Sequence, residues 1–136
     1  MKYKIIDDFL PIHKFNTIRK DLESENFPWY WNSHSTGYDF SPQFVHGFVE
    51  GSKINSGYFE VWKSCGLFKE LGAHSVAKFK VNCNYKTHEP YVGNFHTDFI
   101  KEKTEGLITS IFYINTNNGG TKFEDGTIVN SVANRL

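Results

Sequence analysis

The stretch LITSIFYINTNNGGTKFEDG, residues 107–126, carries the strongest structural signals in this sequence. Its first nine residues are rich in β-branched and aromatic side chains, which are typical of a strand. The cluster TNNGG at 116–120 is a turn signal. The runs TKFED and GTIVNSV then predict two short strands around Gly126. We therefore expect the last part of the chain to form antiparallel strands.

Strand patterns continue upstream of this stretch as far as residue 74. In SVAKFKVNCNY, residues 75–85, Phe79, Val81 and Cys83 alternate with polar residues, as in a strand with two different faces. The run YVGNFHTDF at 91–99 predicts the next strand of the series.

The first half of the chain predicts helices mixed with shorter strands. Apolar residues recur at helical spacing over 11–24 and over 56–71, where Gly66 weakens the second helix. Further strands are predicted at 2–6, 28–32 and 42–51. This order predicts an α+β fold in a single domain of residues 1–136, in which residues 1–73 contain the helices and 74–136 begin a sandwich or jelly roll.

Composition narrows the class of protein. The 15 basic and 15 acidic residues cancel, which argues against nucleic acid and anionic membranes as partners. The N-terminal residues contain no sustained apolar segment, so neither a signal peptide nor a membrane span is expected. The two cysteines, Cys65 and Cys83, do not make a disulfide framework, and we expect two buried thiols in a reducing cytoplasm.

A histidine and an aspartate, His96 and Asp98, lie two residues apart in the predicted strand 91–99. Because side chains alternate along a strand, both are expected on one face with Cα atoms roughly 6.5–7 Å apart. Non-heme oxygenases hold Fe(II) with two histidines and one carboxylate and leave positions open for cosubstrate and oxygen. Alone, the pair is a weak signal, because a half-buried histidine and a turn-capping aspartate have the same pattern.

Three segments follow this pair in a fixed order: Tyr113-Ile114-Asn115, Gly119-Gly120 and Thr121-Lys122-Phe123. This order resembles the core of the 2-oxoglutarate/Fe(II)-dependent dioxygenases, in particular the prolyl 4-hydroxylase-like branch. The chain is also similar to small dioxygenase-like proteins of tailed phages, including its segment FPWYWN at 27–32. The resemblance covers essentially all 136 residues and is strongest over 78–135.

The resemblance implies N-terminal helices packed on a double-stranded β-helix, or jelly roll. It implies Fe(II) and 2-oxoglutarate as cofactors, with O2 and an unknown substrate, for C–H hydroxylation in the host cytoplasm. His96 and Asp98 would bind the iron. Tyr113 would bind the distal carboxylate of 2-oxoglutarate or serve as a core aromatic, and Asn82 and Asn84 would contact the cosubstrate or be solvated.

The sequence departs from the family after the H-x-D pair. The family has a second histidine and then a basic residue that binds the 2-oxoglutarate carboxylate. None of the six histidines follows His96, and Arg135 comes too early for this role. We expect His34, His46 and His88 to be surface or loop residues. The expectation is therefore an incomplete jelly roll, truncated or inactive, whose missing strands would leave backbone groups unpaired.

A second function class is a non-catalytic β-sandwich module, a binding or accessory protein of a phage. Trp29, Tyr30 and Trp31 could stack on sugar rings if they are exposed, although they equally fit a buried strand. A zinc site is disfavoured, because no third histidine or cysteine has suitable spacing.

Overall fold

A computed structural model describes residues 3–35, 41–89, 91–97 and 106–136. The chain divides into two compact units. Residues Leu10–Lys86 form one, called here the sheet unit, and the described parts of Met1–Phe9 and Thr87–Leu136 form the other, called the hairpin unit. The predicted α+β class is confirmed, because helices and antiparallel sheets occur together. Within the described ranges the sheets are small and do not close, so the expected jelly roll is not confirmed.

The described residues of the sheet unit include four antiparallel strands: β1 (Tyr30–Asn32), β2 (Gln43–Glu50), β3 (Lys53–Ile54) and β4 (Lys78–Cys83). Strand β2 is central and pairs with β1, β3 and β4. Val45 lies opposite Tyr30 of β1 and opposite Asn82 of β4, so these two strands flank β2. Strands predicted at 28–32, 42–51 and 75–85 are thus confirmed, and β4 pairs with the earlier β2.

Three helices accompany this sheet: α1 (Ile12–Leu22), α2 (Tyr58–Ser64) and α3 (Leu67–Glu70). Helix α1 buries Phe15, Ile18 and Leu22 as its spacing predicts, but Ile12 is 65% exposed. The single helix predicted over 56–71 is two helices. The helix is interrupted at Gly66. Its φ of +83° lies in the left-handed region, so the regular helical backbone cannot continue through it.

An aromatic cluster joins α2 to the sheet. Phe48 of β2 is 0% exposed. Its ring stacks on Phe79 of β4 at 4.5 Å between centroids and lies 5.4 Å from Trp62 of α2. Replacing a buried aromatic such as Phe48 by alanine costs about 3–5 kcal/mol in typical cores. These rings therefore fix the position of α2 on β2 and β4.

The hairpin unit contains β5 (Gly120–Lys122) and β6 (Ile128–Asn130), which pair antiparallel. The two short strands predicted around Gly126 are thus confirmed. The turn between them closes through the Phe123 N–H, which donates to Thr127 O at 2.8 Å, and Gly126 adopts a φ of +87°. Tyr3 stacks on Phe123 beside this turn with 4.9 Å between ring centroids.

Three predicted strands are wrong where the structure describes them. Residues 3–6, 91–97 and 107–112 form no strand. The run 107–115 contributes a single bridge, between Tyr113 and Arg135, and Ile6 exchanges two backbone hydrogen bonds with Leu136. High β-propensity gives a strand only where a neighbouring strand accepts its hydrogen bonds. No such ladder forms between 107–112 and any other described residues, and Ile108 there is 89% exposed.

The cysteines differ in environment. Cys65 is buried, as expected, whereas Cys83 is exposed, so the expectation of two buried thiols is wrong for Cys83. Burial, and then the negative charge of Asp21, raises the pKa of the Cys65 thiol.

Hydropathy gives one further result. In the described part of the chain, no helix combines the length and the apolar character that crossing a bilayer requires.

Candidate functional site

His96 has a defined ring orientation in an exposed, irregular segment of the hairpin unit. Its Nδ1 lies 3.1 Å from the carbonyl oxygen of Asn94. A carbonyl can only accept, so this contact places a hydrogen on Nδ1, and in the neutral ring Nε2 then holds the lone pair. This is the tautomer in which metal-binding histidines are usually held by a neighbouring acceptor. His96 can therefore offer Nε2 to a metal ion.

The other parts of the predicted iron site are not assembled by the described residues. Asp98 lies outside the described ranges. The expected strand, which would place the His96 and Asp98 side chains on one face, is wrong at His96, because residues 91–97 form no strand. Among the described residues, no three His, Cys, Asp or Glu side chains lie close enough to hold a metal ion. His96 thus fits one coordination position, and the complete family set is not present in this part of the structure.

The Tyr113 hydroxyl has partners within the hairpin unit. It lies 2.6 Å from Thr121 Oγ1 and 3.3 Å from Val129 O, to which it donates. The single hydroxyl hydrogen is used in a contact between Tyr113 and the β5–β6 hairpin. A 2-oxoglutarate carboxylate would have to compete with the hairpin for it. The backbone of Tyr113 pairs with residues 134 and 135 through two further hydrogen bonds.

Asn82 and Asn84 belong to the sheet unit. Asn82 lies in β4, opposite Val45 of β2, and Asn84 follows the last residue of that strand. Both are exposed, so solvent is the environment of their side chains in this structure.

The remaining histidines separate into exposed ones and one that is buried. His88 is exposed and lies 3.3 Å from the Glu89 carboxylate. His13, His34 and His74 are also exposed. His46 is 4% exposed, so the expectation of a surface or loop residue is wrong for it. Its side chain points from β2 into the unit and packs against the rings of Phe27 and Phe48. Each of these rings lies 4.7 Å from the His46 ring, measured between centroids.

Arg135 is held in an ion pair. Its Nε donates to Asp7 Oδ1 at 2.6 Å and its Nη2 to Asp7 Oδ2 at 3.1 Å. These hydrogen bonds, and then the positive charge, lower the pKa of Asp7. The bidentate contact occupies the Nε–Nη2 edge of the guanidinium, and Nη1 donates to Asn130 O at 3.2 Å.

A shallow cleft, largely open to solvent, lies beside His46 in the sheet unit. Its volume is about 420 Å³. Within it, His46 Nε2 lies 2.7 Å from Ser56 Oγ, and His46 Nδ1 lies 2.7 Å from Pro28 O. The cleft is lined by Pro28, Tyr30, His46, Gly47, Asn55, Ser56, Gly57, Tyr58 and Val61. Sequence reasoning missed this arrangement, because Ser56 and His46 are ten residues apart on different elements and match no short motif.

Comparison with known proteins adds no assignment: no protein-family model, no curated protein and no solved structure matches this chain significantly. The function must therefore be inferred from the chemistry of its own side chains.

Proposed function

We propose that this chain belongs to the 2-oxoglutarate/Fe(II)-dependent hydroxylases and that His96 and Asp98 bind the ferrous ion. The proposal is supported by the order of the H-x-D pair, the Tyr-Ile-Asn segment and the Gly-Gly-Thr-Lys-Phe segment. The single structural observation that favours it is the 3.1 Å contact between His96 Nδ1 and Asn94 O, which suits a hydrogen on Nδ1 and, in the neutral ring, leaves Nε2 for a metal.

The cofactors in this proposal are Fe(II) and 2-oxoglutarate. When bound, they would supply oxygen activation and oxidation of a substrate C–H bond. The part played by this chain is to hold two coordination positions with an imidazole and a carboxylate. A jelly roll around that site is also part of the proposal and rests on the same order of segments.

The test is a titration with Mn(II), which substitutes for Fe(II) without oxidising and gives an electron paramagnetic resonance signal when free. We expect His96→Ala and Asp98→Ala each to weaken binding at least about tenfold. His88→Ala is the matched control, because His88 is exposed and precedes the motif, and it should bind like the unchanged chain. Equal affinity in all four proteins would contradict the proposal.

A second candidate is a sugar-binding module, and one observation favours it. Tyr30 and Trp31 are 59% and 58% exposed and Trp29 is half-buried, so the alternative of a buried strand is wrong for Tyr30 and Trp31. Adjacent residues of a strand face opposite sides, so a ring would stack on one of them, not both. Quenching of tryptophan fluorescence by oligosaccharides, independent of metal and lost in Trp31→Ala, would favour this candidate over the oxygenase.

A further inference from the structure

We propose that Ser56 and His46 form a nucleophile and general base in the cleft of the sheet unit, and that this site is acylated by small uncharged esters. The proposal is independent of iron binding, because it uses residues of a different unit.

Two hydrogen bonds orient the ring of His46 so that it can act as a general base. Pro28 O lies 2.7 Å from Nδ1 and can only accept, so the hydrogen is on Nδ1. In the neutral ring Nε2 then holds a lone pair, and Ser56 Oγ lies 2.7 Å from it. The serine hydroxyl must then donate to Nε2. A serine that donates to a histidine, which is itself oriented by a third group, is the arrangement of an activated nucleophile.

The Ser56 oxygen has a lone pair available for nucleophilic attack. Its hydroxyl hydrogen is directed to His46, and one oxygen lone pair accepts the Tyr58 N–H at 3.3 Å. One lone pair remains for attack. Ser56 is half-buried and lines the cleft, so a ligand there can reach the oxygen. The loop that carries it is anchored by the Asn55 N–H, which donates to Phe48 O at 2.8 Å.

The cleft sets the class of substrate. Its volume of about 420 Å³ suits a small molecule. Tyr30, Tyr58 and Val61 give it aromatic and aliphatic walls, and among the described residues no Lys, Arg, Asp or Glu side chain lines it. A neutral ester with a short acyl group or one aromatic ring fits this lining better than a charged metabolite.

The reaction balances with water as the second substrate. Ser56 Oγ bonds to the ester carbonyl carbon as its proton moves to His46 Nε2. The carbon–oxygen bond to the alcohol breaks, and the alcohol leaves with that proton. Water then attacks the acyl-serine carbon and gives one proton to Nε2, which returns it to Ser56 Oγ as the carboxylic acid leaves. The Pro28 carbonyl is a dipole and not a charge, so it stabilises the imidazolium less than a carboxylate would, and turnover should be slow.

Because turnover should be slow, the test is covalent labelling. The folded chain is treated with an uncharged fluorophosphonate, and the modified serine is located by peptide mass spectrometry. We expect the adduct on Ser56, formed at least about 100-fold faster than on Ser52, because a positioned base accelerates such attack by that order. Ser52 is the internal control, since it is exposed and does not line the cleft.

Two comparisons separate an activated serine from a serine that only holds the loop in place. Labelling should disappear in Ser56→Ala and persist in Ser52→Ala. It should also fall to the rate of Ser52 when the unchanged chain is unfolded in urea, because the base is then no longer positioned. No adduct on the folded chain, or an adduct on Ser56 no faster than on Ser52, would overturn the proposal.

Discussion

At Gly120 the backbones of β5 and β6 approach too closely for any side chain. A Cβ at this position would overlap the carbonyl oxygen of Val129 and contact Asn130 Cα at 3.1 Å. The sequence suggests a tight turn for Gly119-Gly120, yet Gly120 is the first residue of β5. Glycine is needed here because the neighbouring strand β6 lies so close. The turn preferences of the local sequence carry no information about that strand.

Gly120→Ala should therefore destabilise the hairpin unit. We expect a loss of about 1–3 kcal/mol, the usual cost of overpacking, seen as a lower urea midpoint. Gly93→Ala is the matched control in the same unit. A Cβ there would lie 3.7 Å from the Tyr91 ring, an ordinary contact, so its midpoint should not change. A midpoint for Gly120→Ala equal to that of the control would contradict this account of the residue.

The Asp7–Arg135 ion pair predicts a pH dependence of stability. Hydrogen bonds from Arg135, and then its charge, lower the pKa of Asp7 in the folded chain. The pair therefore stabilises the fold above the ordinary aspartate pKa of about 3.9, and this contribution is lost as the pH falls through the lower folded-state value. Asp7→Asn should lower the urea midpoint at about pH 7 and have a smaller effect at about pH 3.

Asp8→Asn is the control for this experiment, because Asp8 is adjacent and also exposed. Asp8→Asn removes a neighbouring carboxylate and leaves the Asp7–Arg135 ion pair in place, so it reports the effect of removing a charge alone. An Asp7→Asn effect that is constant over the range, or that grows as the pH falls, would contradict the role of the ion pair.

At the scale of elements, the break between α2 and α3 depends on the left-handed backbone of Gly66. Gly66→Ala should cost about 1–2 kcal/mol, because an L-residue is strained at positive φ. Its Cβ would also lie 3.2 Å from Lys14 Nζ. Gly47→Ala is the control, since a Cβ there meets nothing within 4 Å. Urea unfolding followed by tryptophan fluorescence measures the stability of both variants. A longer, more stable helix in Gly66→Ala would contradict the prediction.

Helices and strands with a clear pattern of apolar residues or clear turn signals at their ends could be predicted from the sequence. Helix α1 repeats its apolar residues every three or four positions, and β2 is bounded by turn formers, so both could be located from the sequence. The segments 91–97 and 107–112 have equally strong local propensity. They form no strand within the described ranges, because a strand depends on a partner that local sequence does not specify.

At the scale of the whole molecule, the two candidate sites differ in how they could be found. His96 stands in a linear motif, so the sequence alone indicated it. Ser56 and His46 meet because β2, β3 and the loop before α2 fold back on each other. That meeting depends on strand register, and no spacing in the sequence predicts it. Asp98 completes the linear motif but lies outside the described ranges, so solution measurements must test it.

Iron binding by His96 and Asp98 is tested most directly by nuclear magnetic resonance of the chain during addition of Mn(II), which broadens signals of nearby nuclei. We expect that, at the lowest Mn(II) concentrations, broadening begins at the His96 ring nitrogens and the Asp98 amide. The ring signals of His88 and His46 should remain sharp at that stage. Broadening that begins at another histidine, or that leaves His96 and Asp98 unaffected, would contradict the assignment of these residues as iron ligands.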